Sequence, residues 1–264
     1  MASFKKTTLA ILLAAVMALP MTLGNPVASK TGHAKASLAS VFTPVTEATA
    51  SPKQPDTAAS YPQGPPFVTI TVSNHHSNGV FTEHQKAIGT EYPDEVGGMK
   101  TPDAMSPRAT SEFAVPTGWS GRVAVVEDQP HNAIIGDESL IEANYRIPAD
   151  DPQHAVFAID VSYVTGFSLP MTCSCDGAGP VTGCNKDLWY LDTCPAGEDN
   201  SQGSCKNPLR DDSNTNTPTN FFLPCKNLAY TYVNDGKAVS FAQCQSGHVS
   251  CCIGTDCPAF NGRA

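Results

Sequence analysis

The cysteines constrain this chain more than any other residue type, because all ten lie in its last third. An even number of cysteines in an exported protein indicates a disulfide framework, here of five bridges. Ten cysteines allow about 945 pairings, so spacing alone does not fix the connectivity. Zinc is the competing interpretation, but no pair of short Cys-x2-Cys knuckles is repeated, and we expect neither a metal nor another cofactor. The ten residues are Cys173, Cys175, Cys184, Cys194, Cys205, Cys225, Cys244, Cys251, Cys252 and Cys257.

The N-terminal segment has the layout of a secretory signal peptide. Lys5 and Lys6 precede an uncharged, mostly apolar run from Thr7 to Leu23. We therefore predict a signal peptide over residues 1–28, cleaved between Gly24 and Ser29, and a secreted protein that is extracellular or held in the cell wall. No other stretch approaches roughly 20 apolar residues, so we expect no membrane span.

The next segment, residues 29–66, is predicted to be a linker. From Ala36 to Pro66 it consists largely of Ala, Ser, Thr and Pro and shows no apolar periodicity. This composition is typical of disordered chain, and both an O-glycosylated and an unmodified linker are compatible with it.

Composition limits the partners of the folded part. The chain has 25 acidic and 16 basic residues and a formal net charge of −9, which disfavours nucleic acid and anionic membranes as targets. About 200 residues remain after the linker, enough to bury a sizeable core. We expect one domain over residues 67–264, and a monomer.

Alternation of apolar and polar residues dominates this domain, which predicts an all-β fold whose sheets have one buried face. Turn-forming clusters separate the runs, at a spacing typical of a sandwich. From residue 173 to 234, Gly, Pro, Asn, Asp and Cys replace the alternation, which indicates a disulfide-rich, loop-rich lobe inserted into the sheet domain. The predicted strands are Phe67–Ser73, Glu112–Pro116, Gly121–Glu127, Ser139–Ile147, Ala155–Val164, Phe167–Cys175, Ala238–Cys244 and Val249–Ile253.

Two of these strands place an acid on the face away from the core. In the first, Ile141 and its period-two partners Ala143, Tyr145 and Ile147 point inward, so Glu142 points outward. In the second, Phe157, Ile159, Val161 and Tyr163 point inward, so Asp160 points outward.

A set of collinear segments extends from Gly121 to Asp235. The segments are Gly121-Arg122-Val123, Leu140-Ile141-Glu142, Asp160 to Met171, Gly183 to Leu188, Cys194-Pro195, Cys205, Cys225 and Ala229 to Asp235. Together they resemble the thaumatin-like proteins, in their divergent fungal branch, although the family's cysteines before the lobe are absent here.

The resemblance implies a thaumatin-like β-sandwich and part of its disulfide pattern. The implied pairs are Cys184 with Cys225, Cys194 with Cys205, and Cys173 or Cys175 with Cys244, while the other four cysteines pair among themselves.

The resemblance also implies a carbohydrate cleft between sandwich and lobe, lined in the family by one arginine and four acids. Three of the acids correspond to Glu142, Asp160 and Asp235. The fourth acid is Thr165 here, and the arginine is Val126.

Three functions are compatible with these residues. The first is binding of cell-wall β-1,3-glucan or a related polysaccharide by Glu142, Asp160 and Asp235. The second is a weak endo-β-1,3-glucanase in which Glu142 and Asp160 act as catalytic carboxyl groups. The third is a non-catalytic surface or host-interaction protein.

Each candidate residue also has a purely structural interpretation. Glu142 could pair with Arg146 on its own strand, Asp160 could accept hydrogen bonds from backbone amides, and Asp235 precedes a glycine as turn residues do. Tyr230 and Tyr232 fit a core better than a sugar platform. The histidines His75, His76 and His84 are interpreted as part of a loop after the first strand, not as metal ligands.

Overall fold

Residues 67–87, 103–146, 155–235 and 242–262 are described by the structure, which is a computed structural model. The predicted signal peptide and linker lie outside these residues. In the part described, no helix is both long and apolar enough to cross a membrane. The elements are β1 (Phe67–Asn74), β2 (Val80–Lys86), β3 (Thr110–Pro116), β4 (Ser120–Glu127), β5 (Ser139–Arg146), β6 (Val156–Ser162), β7 (Gly166–Phe167), β8 (Met171–Cys175), β9 (Gly179–Cys184), α1 (Leu188–Leu191), β10 (Cys205–Lys206), a 3-10 helix (Leu223–Cys225), β11 (Ala242–Gln243) and β12 (His248–Ile253).

The strands pair into two five-stranded sheets and a short ribbon of β10 with β7. Sheet A has the order β3-β1-β12-β8-β9, and sheet B has the order β11-β6-β5-β4-β2. Side chains from both sheets form one hydrophobic core, so the two sheets pack face to face. The prediction of an all-β, disulfide-rich sandwich is confirmed.

Period-two burial in β5 and β6 positions the residues discussed below. Ile141 and Tyr145 on β5 are buried, as are Ile159 and Val161 on β6. The residues between them on each strand therefore point to the outer face of sheet B. The predicted faces are confirmed for the described residues; Ile147 lies outside them.

Two edge strands differ from the sequence prediction. The sequence predicts a loop over the segment of β2, yet this segment pairs with β4 along its full length, and His84 lies within it. The sequence places β9 in the lobe, yet β9 pairs with β8 in sheet A, so the irregular lobe follows Cys184. Both strands lie at sheet edges, where polar residues, Gly and Pro are tolerated, and this composition hides the alternation.

The C-terminal strand lies inside sheet A rather than at its edge. β12 runs parallel to β1 and antiparallel to β8. Cys173 and Cys251 face each other across β8 and β12 and form a disulfide. Residues far apart in sequence thereby meet in the centre of one sheet.

Side-chain contacts join the lobe to the sandwich. Arg210 forms an ion pair with Asp137, which lies just before β5, and both side chains are largely buried. The buried Asn207 donates to the carbonyl oxygens of Tyr163, at 3.0 Å, and Thr231, at 2.8 Å. Gly166 has no room for a side chain, because a Cβ there would collide with the carbonyl oxygen of Asp137. The lobe is therefore fixed to the start of β5.

The five disulfides use all ten cysteines. Their pairs are Cys173–Cys251, Cys175–Cys244, Cys184–Cys225, Cys194–Cys205 and Cys252–Cys257. The pairs implied by the resemblance are present, and of the two candidates for Cys244 the partner is Cys175.

The loop that each disulfide closes predicts a graded loss of stability. The Cys184–Cys225 bridge spans 41 residues and the Cys252–Cys257 bridge spans 5. In the chain-entropy model, removing the first by a double Ala substitution should cost about 4 kcal/mol of unfolding free energy, and removing the second about 2 kcal/mol. Urea unfolding of both double variants measures the difference. Equal losses would contradict the assignment of Cys184–Cys225 as the long-loop bridge.

Candidate functional site

Strand register places four polar side chains abreast on the outer face of sheet B. Gln85 of β2 lies opposite Arg122 of β4, Arg122 lies opposite Glu142 of β5, and Glu142 lies opposite Asp160 of β6. We call these four residues the polar row. Because neighbouring strands are about 4.8 Å apart, the row extends about 14 Å across the sheet.

Arg122 is the cation of the polar row. Its Nε donates to Oε1 of Gln85 at 2.7 Å. Burial lowers the pKa of Arg122, and the carboxylates of Glu142, Glu138 and Glu83 oppose that shift. Because a guanidinium ionises far above neutral pH, Arg122 remains charged and supplies a fixed positive charge beside Glu142.

The two carboxyl groups of the row differ in their surroundings. Burial raises the pKa of Glu142, but the charge of Arg122 and a hydrogen bond from the Ser162 hydroxyl oppose the rise. Burial raises the pKa of Asp160 well above its ordinary value of 3.8, and the neighbouring Glu142 raises it further. The pair therefore favours an ionised Glu142 beside Arg122 and an Asp160 that keeps its proton to higher pH.

Asp235 has a different environment from the other two candidate acids. It is 1% exposed. Its Oδ2 accepts from the Thr231 hydroxyl at 3.1 Å and from the Thr231 amide at 3.4 Å. Burial and Asp235 together raise the pKa of Tyr232 to about 12. The Asp235 carboxyl group therefore stabilises the turn from Thr231 to Asp235, in agreement with the structural interpretation of this residue.

The two positions at which this chain departs from the family pattern also have structural contacts. Val126 is buried at the far end of β4, opposite Phe81. The Thr165 hydroxyl donates to the carbonyl oxygen of Glu138 at 3.0 Å. Neither supplies a charge, and the positive charge of the row comes from Arg122 instead.

Arg122 and Ser162 are the residues that sequence reasoning did not find. The alternation Gly121, Val123, Val125 was enough to put Arg122 on the outer face. What the sequence did not show was the pairing register, which makes Arg122, and not Arg146, the cation that opposes protonation of Glu142.

The remaining candidates have structural explanations. Tyr232 is buried, and the backbone of Tyr230 bonds to that of Val161 and Tyr163 beside β6. His76 lies 3.4 Å from the carboxylate of Glu127. Within the described ranges, no three His, Cys, Asp or Glu side chains are grouped as metal ligands.

Comparison of the sequence with models of protein families gives no match, and comparison with curated proteins gives no significant relative.

The environment of Asp160 predicts a pH-dependent effect of its removal. Because folding raises its pKa above 3.8, the unfolded chain loses this proton first as the pH rises, and stability falls from about pH 4 upward. Asp160→Asn has no such proton, so its melting temperature should exceed that of the wild type at pH 8 and equal it at pH 3. Thermal unfolding at both values measures this, with the exposed Asp128→Asn as control. A loss of stability at pH 8 would contradict the inferred environment.

Proposed function

We propose that this chain is a secreted thaumatin-like protein that binds cell-wall β-1,3-glucan or a related polysaccharide on the polar row of sheet B, without cleaving it. The observation that carries the proposal is the in-register arrangement of Arg122, Glu142 and Asp160. It presents a charged donor, a charged acceptor and a carboxyl group in one line. Sugar hydroxyl groups both donate and accept hydrogen bonds, so a neutral sugar chain can use all three.

The charge of the protein supports a neutral ligand. The row combines one cation with carboxyl groups, and the chain as a whole carries a formal charge of −9. A polyanion would be repelled by this field, whereas an uncharged polysaccharide would not. The row is also long enough to contact more than one sugar unit.

The family assignment is supported by the disulfides. The resemblance implied Cys184–Cys225, Cys194–Cys205 and a bridge to Cys244, and all three are present. Five bridges are also typical of an extracellular compartment, which supports secretion.

A weak glycosidase is the second candidate, because the row resembles an acid–base pair. Asp160 would be the proton donor and Glu142 the second carboxylate, with Arg122 keeping Glu142 ionised. Directly opposed residues in an antiparallel pair have Cβ atoms about 4.5–5.5 Å apart, which is near the separation of carboxyl groups in retaining enzymes.

The direction of the two groups favours binding over catalysis. Glycosidase carboxyl groups flank the scissile bond, so they must approach it from different sides. Glu142 and Asp160 stand side by side on one sheet face. A glycosidase would therefore need a further carboxyl group that faces the polar row from the other side of the substrate. Asp235, the candidate from the lobe, instead accepts a hydrogen bond from the Thr231 hydroxyl within its own turn.

Glu142→Gln should weaken retention on insoluble β-1,3-glucan about tenfold, because it replaces a charge-assisted hydrogen bond by a neutral one. Pull-down on β-1,3-glucan, chitin and cellulose, followed by a reducing-sugar assay, measures binding and cleavage together. Glu112→Gln is the matched control, since Glu112 is an exposed carboxylate on sheet A.

The three outcomes separate the three functions. Retention without sugar release supports the binding module. Release by the wild type that disappears in Glu142→Gln would replace it by the glucanase. Absence of retention on all three polymers would favour the surface or host-interaction protein.

A further inference from the structure

His84 is a half-buried histidine on the inner face of the edge strand β2. Its ring meets Phe113 edge-on, with centroids 5.0 Å apart, and Trp119 at 5.6 Å. Both ring nitrogens are buried, and among the described residues neither has a hydrogen-bond partner. The same holds for Nε1 of Trp119. The ring therefore occupies an apolar site that favours the neutral imidazole.

In the described part of the chain, the charged side chains on β2 and its neighbouring strands do not offset a positive charge on His84. Lys86 shares the inner face of β2 by period two, and it carries the same sign as a protonated imidazole. Glu83 and the β4 residue Arg122 lie on the opposite face of sheet B, and Glu112 of β3 faces away from the core, bonded to Thr71. Burial accordingly lowers the pKa of His84 to about 4.

The same strand supports the polar row. Gln85 follows His84 in β2 and points to the other face, where it accepts from Arg122. Among the described residues, β2 pairs along its full length with β4, and its other edge is bonded to the 103–105 segment near Val80 and Thr82 alone, well before Gln85. Any displacement of β2 from β4 therefore removes the Gln85 contact and changes the position of Arg122 beside Glu142.

We propose that protonation of His84 opens the edge strand β2 and loosens the polar row, so that ligand retention by this row falls in acid. Strand opening is independent of what the row binds; only the effect on retention rests on the proposed function.

The size of the effect follows from the two protonation states of His84. An imidazole in the opened strand has the ordinary pKa of 6.5, against about 4 in the closed strand. At pH 5 this difference increases the population of the opened form by about 30-fold relative to pH 8. Most of the increase occurs between pH 6.5 and 4, since above 6.5 both forms are neutral.

Amide hydrogen exchange on β2 tests the opening without any ligand. After correction for intrinsic exchange, the wild-type amides of Val80–Lys86 should exchange about 30-fold faster at pH 5 than at pH 8. His84→Phe fills the same apolar site and cannot protonate, so its β2 exchange should not change with pH. The exposed His131→Gln is the control and should behave like the wild type. Unchanged wild-type protection at pH 5 would overturn the proposal.

Tryptophan fluorescence gives a second readout that needs no substitution at His84. The chain has 2 tryptophans, so Trp189→Phe leaves Trp119 as the reporter. Emission from Trp119 should change between pH 6.5 and 4, as His84 becomes charged and β2 moves. A histidine NMR titration should find the His84 ring titrating well below pH 6.5. A His84 ring that titrates near pH 6.5, at constant Trp119 emission, would refute the buried site.

Glucan retention completes the test. Glucan retention by the wild type should fall from pH 7 to pH 5. Retention by His84→Phe should fall less over the same interval. Any effect of Glu142 and Asp160 titration is common to both proteins, so the difference between them reports on His84. Absence of glucan binding at every pH would contradict the proposed function. The strand opening would then be judged from the hydrogen-exchange data alone. An equal fall in both proteins would show that His84 does not regulate the row.

Discussion

The backbone hydrogen-bond register of sheet B is the constraint on which the candidate site depends. Antiparallel pairing of β4, β5 and β6 sets Arg122, Glu142 and Asp160 opposite one another. A slip of one residue in β5 would turn Glu142 into the core and Ile141 outward. The buried alternation on the inner face therefore enforces the arrangement on the outer face, and the charge pattern is a consequence of core packing.

The lobe fixes that register from one end. Arg210 of the lobe forms an ion pair with Asp137, immediately before β5. Ser168, which lies outside the lobe between β7 and β8, holds the first residue of β5 through reciprocal bonds with Ser139. The disulfides Cys184–Cys225 and Cys194–Cys205 in turn restrain the lobe. The disulfides of the irregular lobe thereby help to hold the strands of sheet B in register. This explains how a domain with so much loop keeps the polar row ordered.

Sequence reasoning succeeded where a local pattern carried the information. The alternation in β5 and β6 was enough to orient Glu142 and Asp160, because burial forces a period of two on a strand. It failed at β2, whose many polar residues lie on an edge strand and hide the alternation, and at Arg122, whose importance depends on a partner twenty residues away. Pairing register is a tertiary property, and one sequence does not encode it in any short segment.

Two carboxyl groups side by side on a sheet raise the free energy of the folded state when both are ionised, and the polar row limits this increase. Two ionised groups at that spacing repel each other, and burial strengthens the repulsion. Arg122 lowers the cost of ionising Glu142, whereas Asp160 has only Glu142 beside it as a charged neighbour that shifts its pKa. Asp160 therefore keeps its proton to higher pH than an ordinary aspartate. Where Asp160 is protonated and Glu142 is ionised, a neutral hydroxyl-bearing ligand can accept from the first carboxyl group and donate to the second without adding charge.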